Sequence, residues 1–379
     1  MTSFFVCGDI VNYENGNGMV CSKQLEEVIS SADYAVCNFE APVDGFGDPQ
    51  PKSGPHHHQR VETIGGLKSQ GFDLLLLANN HMMDYGEKAL AATLTIAEKA
   101  KIETIGAGLN AEYAYKPIVK EINGIIFGMI NACEAQFGVI DYFDRKNNAG
   151  YAWINHTKID KTIIQLREKC DFVIVFAHAG LEHYSIPQKE WRERYKYFCD
   201  LGVDVVFGSH PHQPQGFEKH GDSLIFYSLG NFYFDSKNYK DKEDQSFSVW
   251  LEFTKNKNLF FKPVFHYKKD GHVRIATPEK QVDLRDLSLM LEKKYAGLHD
   301  QMCLEAYEQI KRNLLFSLGT FPFDGTIKSS LRRIVSYICG RNKKIDKELL
   351  QLHLLRNEAY YFAAKHALEL KTKIKYTKS

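Results

Sequence analysis

Five short apolar runs, each closing on a side chain able to bind a metal or move a proton, constrain the fold more than any other feature of the chain. They are Phe4-Phe5-Val6-Cys7-Gly8-Asp9, Tyr34-Ala35-Val36-Cys37-Asn38-Phe39-Glu40, Leu74-Leu75-Leu76-Leu77-Ala78-Asn79-Asn80-His81, Phe172-Val173-Ile174-Val175-Phe176-Ala177-His178 and Val203-Asp204-Val205-Val206-Phe207, which leads into Gly208-Ser209-His210-Pro211-His212. Short β-branched and aromatic runs of this kind read as buried strands. In an open α/β sheet ligands bind beyond the carboxyl ends of strands, so the five endings are expected to converge on one place. In the last of them Pro211 fixes one φ angle and Gly208 tolerates unusual ones, a tight turn from which His210 and His212 can face one cavity.

From residue 1 to about 235, helix-like segments alternate with these runs, which argues for a layered α/β sheet structure. Glu87 to Lys101 and Thr157 to Lys169 carry apolar residues at helical spacing, the second through Ile159, Ile163, Ile164 and Leu166. Asp44 to Arg60 is rich in Gly, Pro and His and reads as a long loop, a candidate lid or substrate wall. Between about 222 and 275 the strand-like runs look antiparallel and are expected to complete or cap the sheet. Beyond Pro278 the pattern turns helical, giving an expected domain of residues 1–278 and a helical C-terminal extension of 279–379. That extension ends with a basic excess through Arg341, Lys343, Lys344, Lys371, Lys373, Lys375 and Lys378, expected to be a solvated face.

Length allows a large core. A net charge of +1 gives no electrostatic signature of nucleic-acid binding. No apolar stretch approaches the roughly 20 residues that span a bilayer, no signal-peptide pattern precedes the first strand, and the eight cysteines lack C-x-x-C pairing. A cytoplasmic setting is expected.

Read from residue types alone, the strand ends supply two carboxylates (Asp9, Glu40), one amide (Asn80) and four imidazoles (His81, His178, His210, His212). This mixture of oxygen and nitrogen donors suits Zn²⁺, Mn²⁺ or Fe²⁺, as one ion or as two sharing a carboxylate. The order and spacing of Gly8-Asp9, Asn38-Phe39-Glu40-Ala41-Pro42, Ala78-Asn79-Asn80-His81 with Asp84-Tyr85-Gly86, His178-Ala179-Gly180-Leu181-Glu182, Gly202 to His212 and Tyr227-Ser228-Leu229-Gly230-Asn231-Phe232 resemble the CapA family of capsule and poly-γ-glutamate biosynthesis proteins. That family is itself similar to the calcineurin-like metallophosphoesterases. The resemblance spans residues 3 to 270 and implies a four-layered α/β/β/α metallophosphoesterase-like sandwich. It implies that Asp9 and His212 bind a first ion, that Glu40 bridges, and that Asn80, His178 and His210 bind a second. His81 matches the histidine that protonates the leaving group, with Asp84 placed to orient it. The chain departs from the phosphoesterase D-x-H motif by carrying Val11, which removes one ligand of the first ion, and from the usual family pattern by Ala179 and His183.

Arg60, Glu182, His183 and Asn231 are candidate substrate contacts. His56-His57-His58 lies in the Gly/Pro loop, where exposed histidines are commonly inert, so adventitious metal pickup or substrate contact is its expected role. Together these readings predict a metal-dependent hydrolase acting on a phosphoester, or on a γ-glutamyl amide, of an anionic glycan or polyglutamate. The alternative is a non-catalytic polyanion-binding or assembly factor. No nucleic-acid partner or transmembrane segment is expected, and the C-terminal helices offer a surface for homo-oligomerisation.

Overall fold

A computed structural model of the chain describes residues 1–142, 148–235, 244–318, 331, 335 and 346–377. It forms two compact units, residues 1–50 with 56–295, and residues 51–55 with 296–379.

The first unit contains two large sheets. In one, the parallel strands Thr2–Val11, Tyr34–Phe39, Leu74–Leu76 and Glu103–Ile105 are extended on the Thr2–Val11 side by the antiparallel strands Asp244–Phe253, Leu259–Lys269 and His272–Ile275. Asn231–Phe234 pairs in parallel with the end of Thr2–Val11. The other sheet runs Phe217–His220, Ser223–Phe226, Val205–Ser209, Phe172–His178, Ile125–Cys133 and Ile118–Ile122 in spatial order. Strands buried on both faces read as continuous apolar runs because alternate side chains enter different cores. Phe4 and Val6 join Phe127, Phe172, Ile174, Phe207 and Phe253 in a core shared by the two sheets. Phe5 and Cys7, one residue on, join Leu25, Ile29, Ile64, Leu67 and Leu90 from the helices Lys23–Ser30, Glu62–Ser69 and Gly86–Lys99. The helices Thr157–Arg167 and Lys189–Asp200 cover the second sheet, burying Ile159, Ile163, Trp191 and Tyr195. The result is four layers, α/β/β/α. Each fully buried Phe or Ile in them contributes about 1.5–3 kcal/mol relative to exposure.

One expectation needs correction. Leu224 to Phe226 pairs antiparallel with Phe217–His220 but parallel with Val205–Ser209, inside the second sheet. The 217–226 hairpin therefore extends that sheet from its parallel centre. The short helix Leu284–Leu289 stays with the sheets: Leu284 is buried in the shared core, and the Phe217 N–H donates to Ser288 Oγ at 3.1 Å.

The second unit is helical, with Tyr295–Leu318, Lys347–Arg356 and Glu358–Thr377. The last two are separated at Asn357, whose side chain accepts from the Tyr360 N–H and starts the second helix. Arg341, Lys343, Lys344 and Lys378 lie outside the described residues. Among the described residues no helix is long and apolar enough to cross a membrane.

Candidate metal centre

The strand ends do meet. The Thr2–Val11 strand shifts register between Cys7 and Asp9 against one neighbour and between Asp9 and Ile10 against the other. Bulges of this kind re-aim a side chain, and here the residue between the two shifts is Asp9. Two glycines make the close approaches possible. A Cβ on Gly8 would lie 1.8 Å from the Gly230 carbonyl oxygen, and one on Gly208 would lie 1.9 Å from that of Tyr227. Gly208 thus serves contact rather than an unusual φ, because it sits inside the Val205–Ser209 strand. The left-handed dihedrals fall on the histidines themselves, His210 at φ 95° and His212 at φ 56°. Such conformations cost on the order of 1–3 kcal/mol each and persist where surrounding structure enforces them.

Glu40 lies at the middle of the cluster, fully buried. Ligand atoms of Asp9, Glu40 and His212 lie within 4.8 Å of one another, and so do those of Glu40, His178 and His210. Glu40 Oε1 is 3.6 Å from His178 Nε2 and 3.8 Å from His212 Nε2. On the first side Asp9 Oδ2 is 3.2 Å from His212 Nδ1, while Asp9 Oδ1 accepts from Asn38 Nδ2 at 2.7 Å. On the second side Asn80 Oδ1 is 3.1 Å from His178 Nε2, and His178 Nδ1 is 2.9 Å from Ser209 Oγ. His210 Nε2 is 3.7 Å from Glu134 Oε1 and 3.2 Å from Gln136 Nε2.

The electrostatics follow from crowding charge in a dry place. Burial, then Asp9, push the Glu40 carboxyl well above its ordinary value. Burial, then His210 and His212, hold His178 well below the usual imidazole range, and burial pushes His210 down to about 4. Burial also acts downward on His212, but Glu40 and Asp9 outweigh it and raise that imidazole to about 10.

A divalent cation fits this donor set. Both carboxylate oxygens of Glu40 and Nδ1 of His210 are buried without a hydrogen-bond partner. Leaving such atoms unpaired is costly, and a cation between them removes the cost. Asp9, Glu40 and His212 would hold one ion, and Glu40, Asn80, His178 and His210 a second. Loading would require neutral imidazoles and would release the proton that His212 otherwise keeps.

Beside this cluster, His81 Nδ1 is 2.7 Å from Asp84 Oδ2, with the aspartate fully buried. The triple-histidine tract is not inert surface. The His57 N–H donates to the same Asp84 oxygen at 2.7 Å, the His57 ring meets the His81 ring edge-on at 4.2 Å, and His57 Nδ1 contacts the Tyr13 hydroxyl. Asn231 is also at the cluster, with Oδ1 3.0 Å from His212 Nδ1 and Nδ2 donating to the buried Asp244 at 2.7 Å. Glu182 groups with His210 and His212 at the more open rim. His183 Nε2 is 3.9 Å from Glu182, on a residue whose side chain is 54% exposed. Arg60 Nε is 3.4 Å from Glu62 Oε2.

Sequence reading missed Glu134 and Gln136. Glu134 is fully buried, accepts from the Gly180 N–H at 3.1 Å and from Gln136 Nε2 at 2.6 Å, and faces His210. The signal was present, since Ile125 to Cys133 is a sixth apolar run closing on a carboxylate.

The family model for bacterial capsule synthesis protein PGA_cap matches residues 6–236. The chain is 30% identical over 220 residues to the capsule biosynthesis protein CapA of Bacillus anthracis, covering 56% of this chain and 53% of that protein. It is also 30% identical over 213 residues to the PGA biosynthesis protein CapA of Bacillus subtilis (strain 168), covering 56% of each. The chain spans about half the length of the curated relatives it matches. Among solved structures, a novel phosphatase from Mycoplasma pneumoniae aligns at TM-score 0.44 and 17% identity, covering 78% of this chain and 98% of that one.

Proposed function

The chain belongs to the bacterial capsule synthesis protein PGA_cap family, and from that premise we propose that it is a metal-dependent hydrolase of an anionic ester in capsule polysaccharide or poly-γ-glutamate metabolism, a phosphoester first. The observation that carries this reading is Glu40, buried with neither oxygen hydrogen-bonded and shared between the Asp9–His212 pair and the His178–His210 pair. Ions held there would supply a nucleophile from water at neutral pH and offset charge developing on the ester oxygens. His81 serves as general acid: Asp84 accepts from Nδ1–H and so orients the ring, which makes Nε2–H the proton delivered to the leaving oxygen. His57 holds Asp84 and His81 in place through its backbone and ring. Glu182 and His183, at the rim, contact the substrate beyond the scissile bond. A γ-glutamyl amide would meet the same residues.

A second reading, a non-catalytic polyanion-binding or assembly factor, draws on Val11, which is fully buried and leaves the Asp9 side short of one donor. The two are separated by loading the full chain with Mn²⁺ or Zn²⁺, screening aryl phosphomonoesters, phosphodiesters and γ-glutamyl amides, and repeating the screen with His81→Ala. Hydrolysis lost in the variant with metal retained supports the enzyme. No turnover by metal-loaded wild type, with retained binding of polyglutamate or capsule glycan, overturns it in favour of the binder.

A further inference from the structure

The helical unit carries its own set of soft donors, outside the residues matched by the family model. His299 and Cys303 are four apart on the Tyr295–Leu318 helix, so both project from one face. His366 comes from the Glu358–Thr377 helix, and one ligand atom from each of the three lies within 4.8 Å of the others. Cys303 Sγ is 3.7 Å from His299 Nε2, and the His299 and His366 rings meet edge to face at 4.8 Å. His299 and Cys303 are buried, at 3% and 1% exposure, among the equally buried Met302, Ala363 and Ala367. Asp300 Oδ1 is 2.6 Å from His366 Nε2.

We propose that His299, Cys303 and His366 form a second metal site, for a Zn²⁺-class ion, that ties the two helices together. One thiolate and two neutral imidazoles form a set that suits Zn²⁺ or Co²⁺ and disfavours Mg²⁺, Ca²⁺ or Mn²⁺, which prefer oxygen. Asp300 supplies what metal-bound histidines regularly have, a carboxylate on the far ring nitrogen. With Nε2–H given to Asp300, the lone pair of His366 resides on Nδ1. Binding converts the Cys303 thiol to thiolate with release of its proton, and no other bond changes. His366 and Asp300, with side chains 26% and 44% exposed, stand at the open edge of the cluster. The same helix pair is tied again by Lys371, which pairs with Glu308 and lies 4.9 Å from the centre of the Tyr307 ring. The ion therefore sits in a helix contact that already has a defined register.

The donors of the strand-end centre include no sulfur, so a thiolate signature separates the two sites. Full-length protein with His178→Ala and His210→Ala would be titrated with Co²⁺ and followed by near-ultraviolet absorption. A sulfur-to-cobalt charge-transfer band saturating at one ion per chain is expected. Cys303→Ser should abolish the band with circular dichroism unchanged. His366→Gln, at the more accessible edge of the cluster, should weaken Co²⁺ binding about tenfold or more, and it decides the matter should the cysteine variant fail to fold. Absence of the band in folded protein, its survival in Cys303→Ser, or unaltered Co²⁺ affinity in His366→Gln would overturn the proposal. None of these results depends on the hydrolytic reading.

Discussion

The two sides of the strand-end centre share Glu40 but are built from unlike parts. On one side stand Asp9 and His212, with Asn231 behind the imidazole and the apolar Val11 two residues along the strand. On the other stand His178, His210 and Asn80, backed by Ser209, Gln136 and Glu134. The first is carboxylate-rich, with Asn38 on Asp9 and Asn231 on His212, and the second is imidazole-rich, with Ser209 on His178 and Gln136 and Glu134 facing His210. We propose that the two positions are graded by the partners of each ligand, because outer partners fix the tautomer and orientation of metal-binding histidines. On the proposed metal-binding role, the His178 side is expected to hold the tighter ion.

Glu40→Gln breaks both sides together and gives the largest effect. Hydrolysis by metal-loaded protein should fall to background, whereas the metal-free protein should gain on the order of 1 kcal/mol in denaturant unfolding, since a buried carboxylate beside Asp9 is removed. Activity without Glu40, or a less stable metal-free variant, would show that the residue does not sit between cations.

Asp9→Asn and His178→Ala test the difference between the sides. The first should leave one tight ion, read by chelator competition, while the second should weaken the tightest site by about 100-fold or more. Equal losses from the two variants would erase the proposed grading.

His266 isolates what burial does to an imidazole with no carboxylate beside it. Buried against Phe232, it is held down to about 3, against about 10 for His212 between Asp9 and Glu40. Its folded pKa lies below its unfolded one, so the unfolded chain takes up the extra proton. This contribution is complete above pH 6.5 and is lost as pH falls from there toward 3. His266→Leu should flatten that part of the stability profile by a few kcal/mol. An unchanged slope in urea unfolding between pH 6.5 and 4 would contradict it.

His57→Ala gives the smallest effect. It removes the ring against His81 but keeps the backbone bond to Asp84, so activity should drop about tenfold with metal content unchanged. A change in metal content would place His57 among the ligands instead.

The strands were legible because each is buried on both faces and so appears as an unbroken apolar run. The centre was legible because those runs end in donors. Glu134 obeys the same rule, as the carboxylate that closes the run from Ile125 to Cys133. Gln136 carries no such mark, because its role comes from a turn that only the folded chain defines. The triple-histidine tract misled in the opposite sense. A Gly/Pro-rich loop looks solvent-facing by composition, yet it returns His57 to His81 through hydrogen bonds that composition does not encode. Gly208 was legible as a necessary glycine but for the wrong reason, because a backbone contact with Tyr227, 19 residues away in sequence, leaves no local trace. The His299–Cys303–His366 group carries no such mark, because its third member, His366, lies on another helix.

The most direct test of the Glu40-centred account is metal content by inductively coupled plasma mass spectrometry on tagless full-length protein carrying Cys303→Ser, with and without Glu40→Gln. About two Mn²⁺, Zn²⁺ or Fe²⁺ ions per chain are expected after reconstitution, both lost on substitution of Glu40. No bound ion in the first protein, or the same content in both, would contradict it.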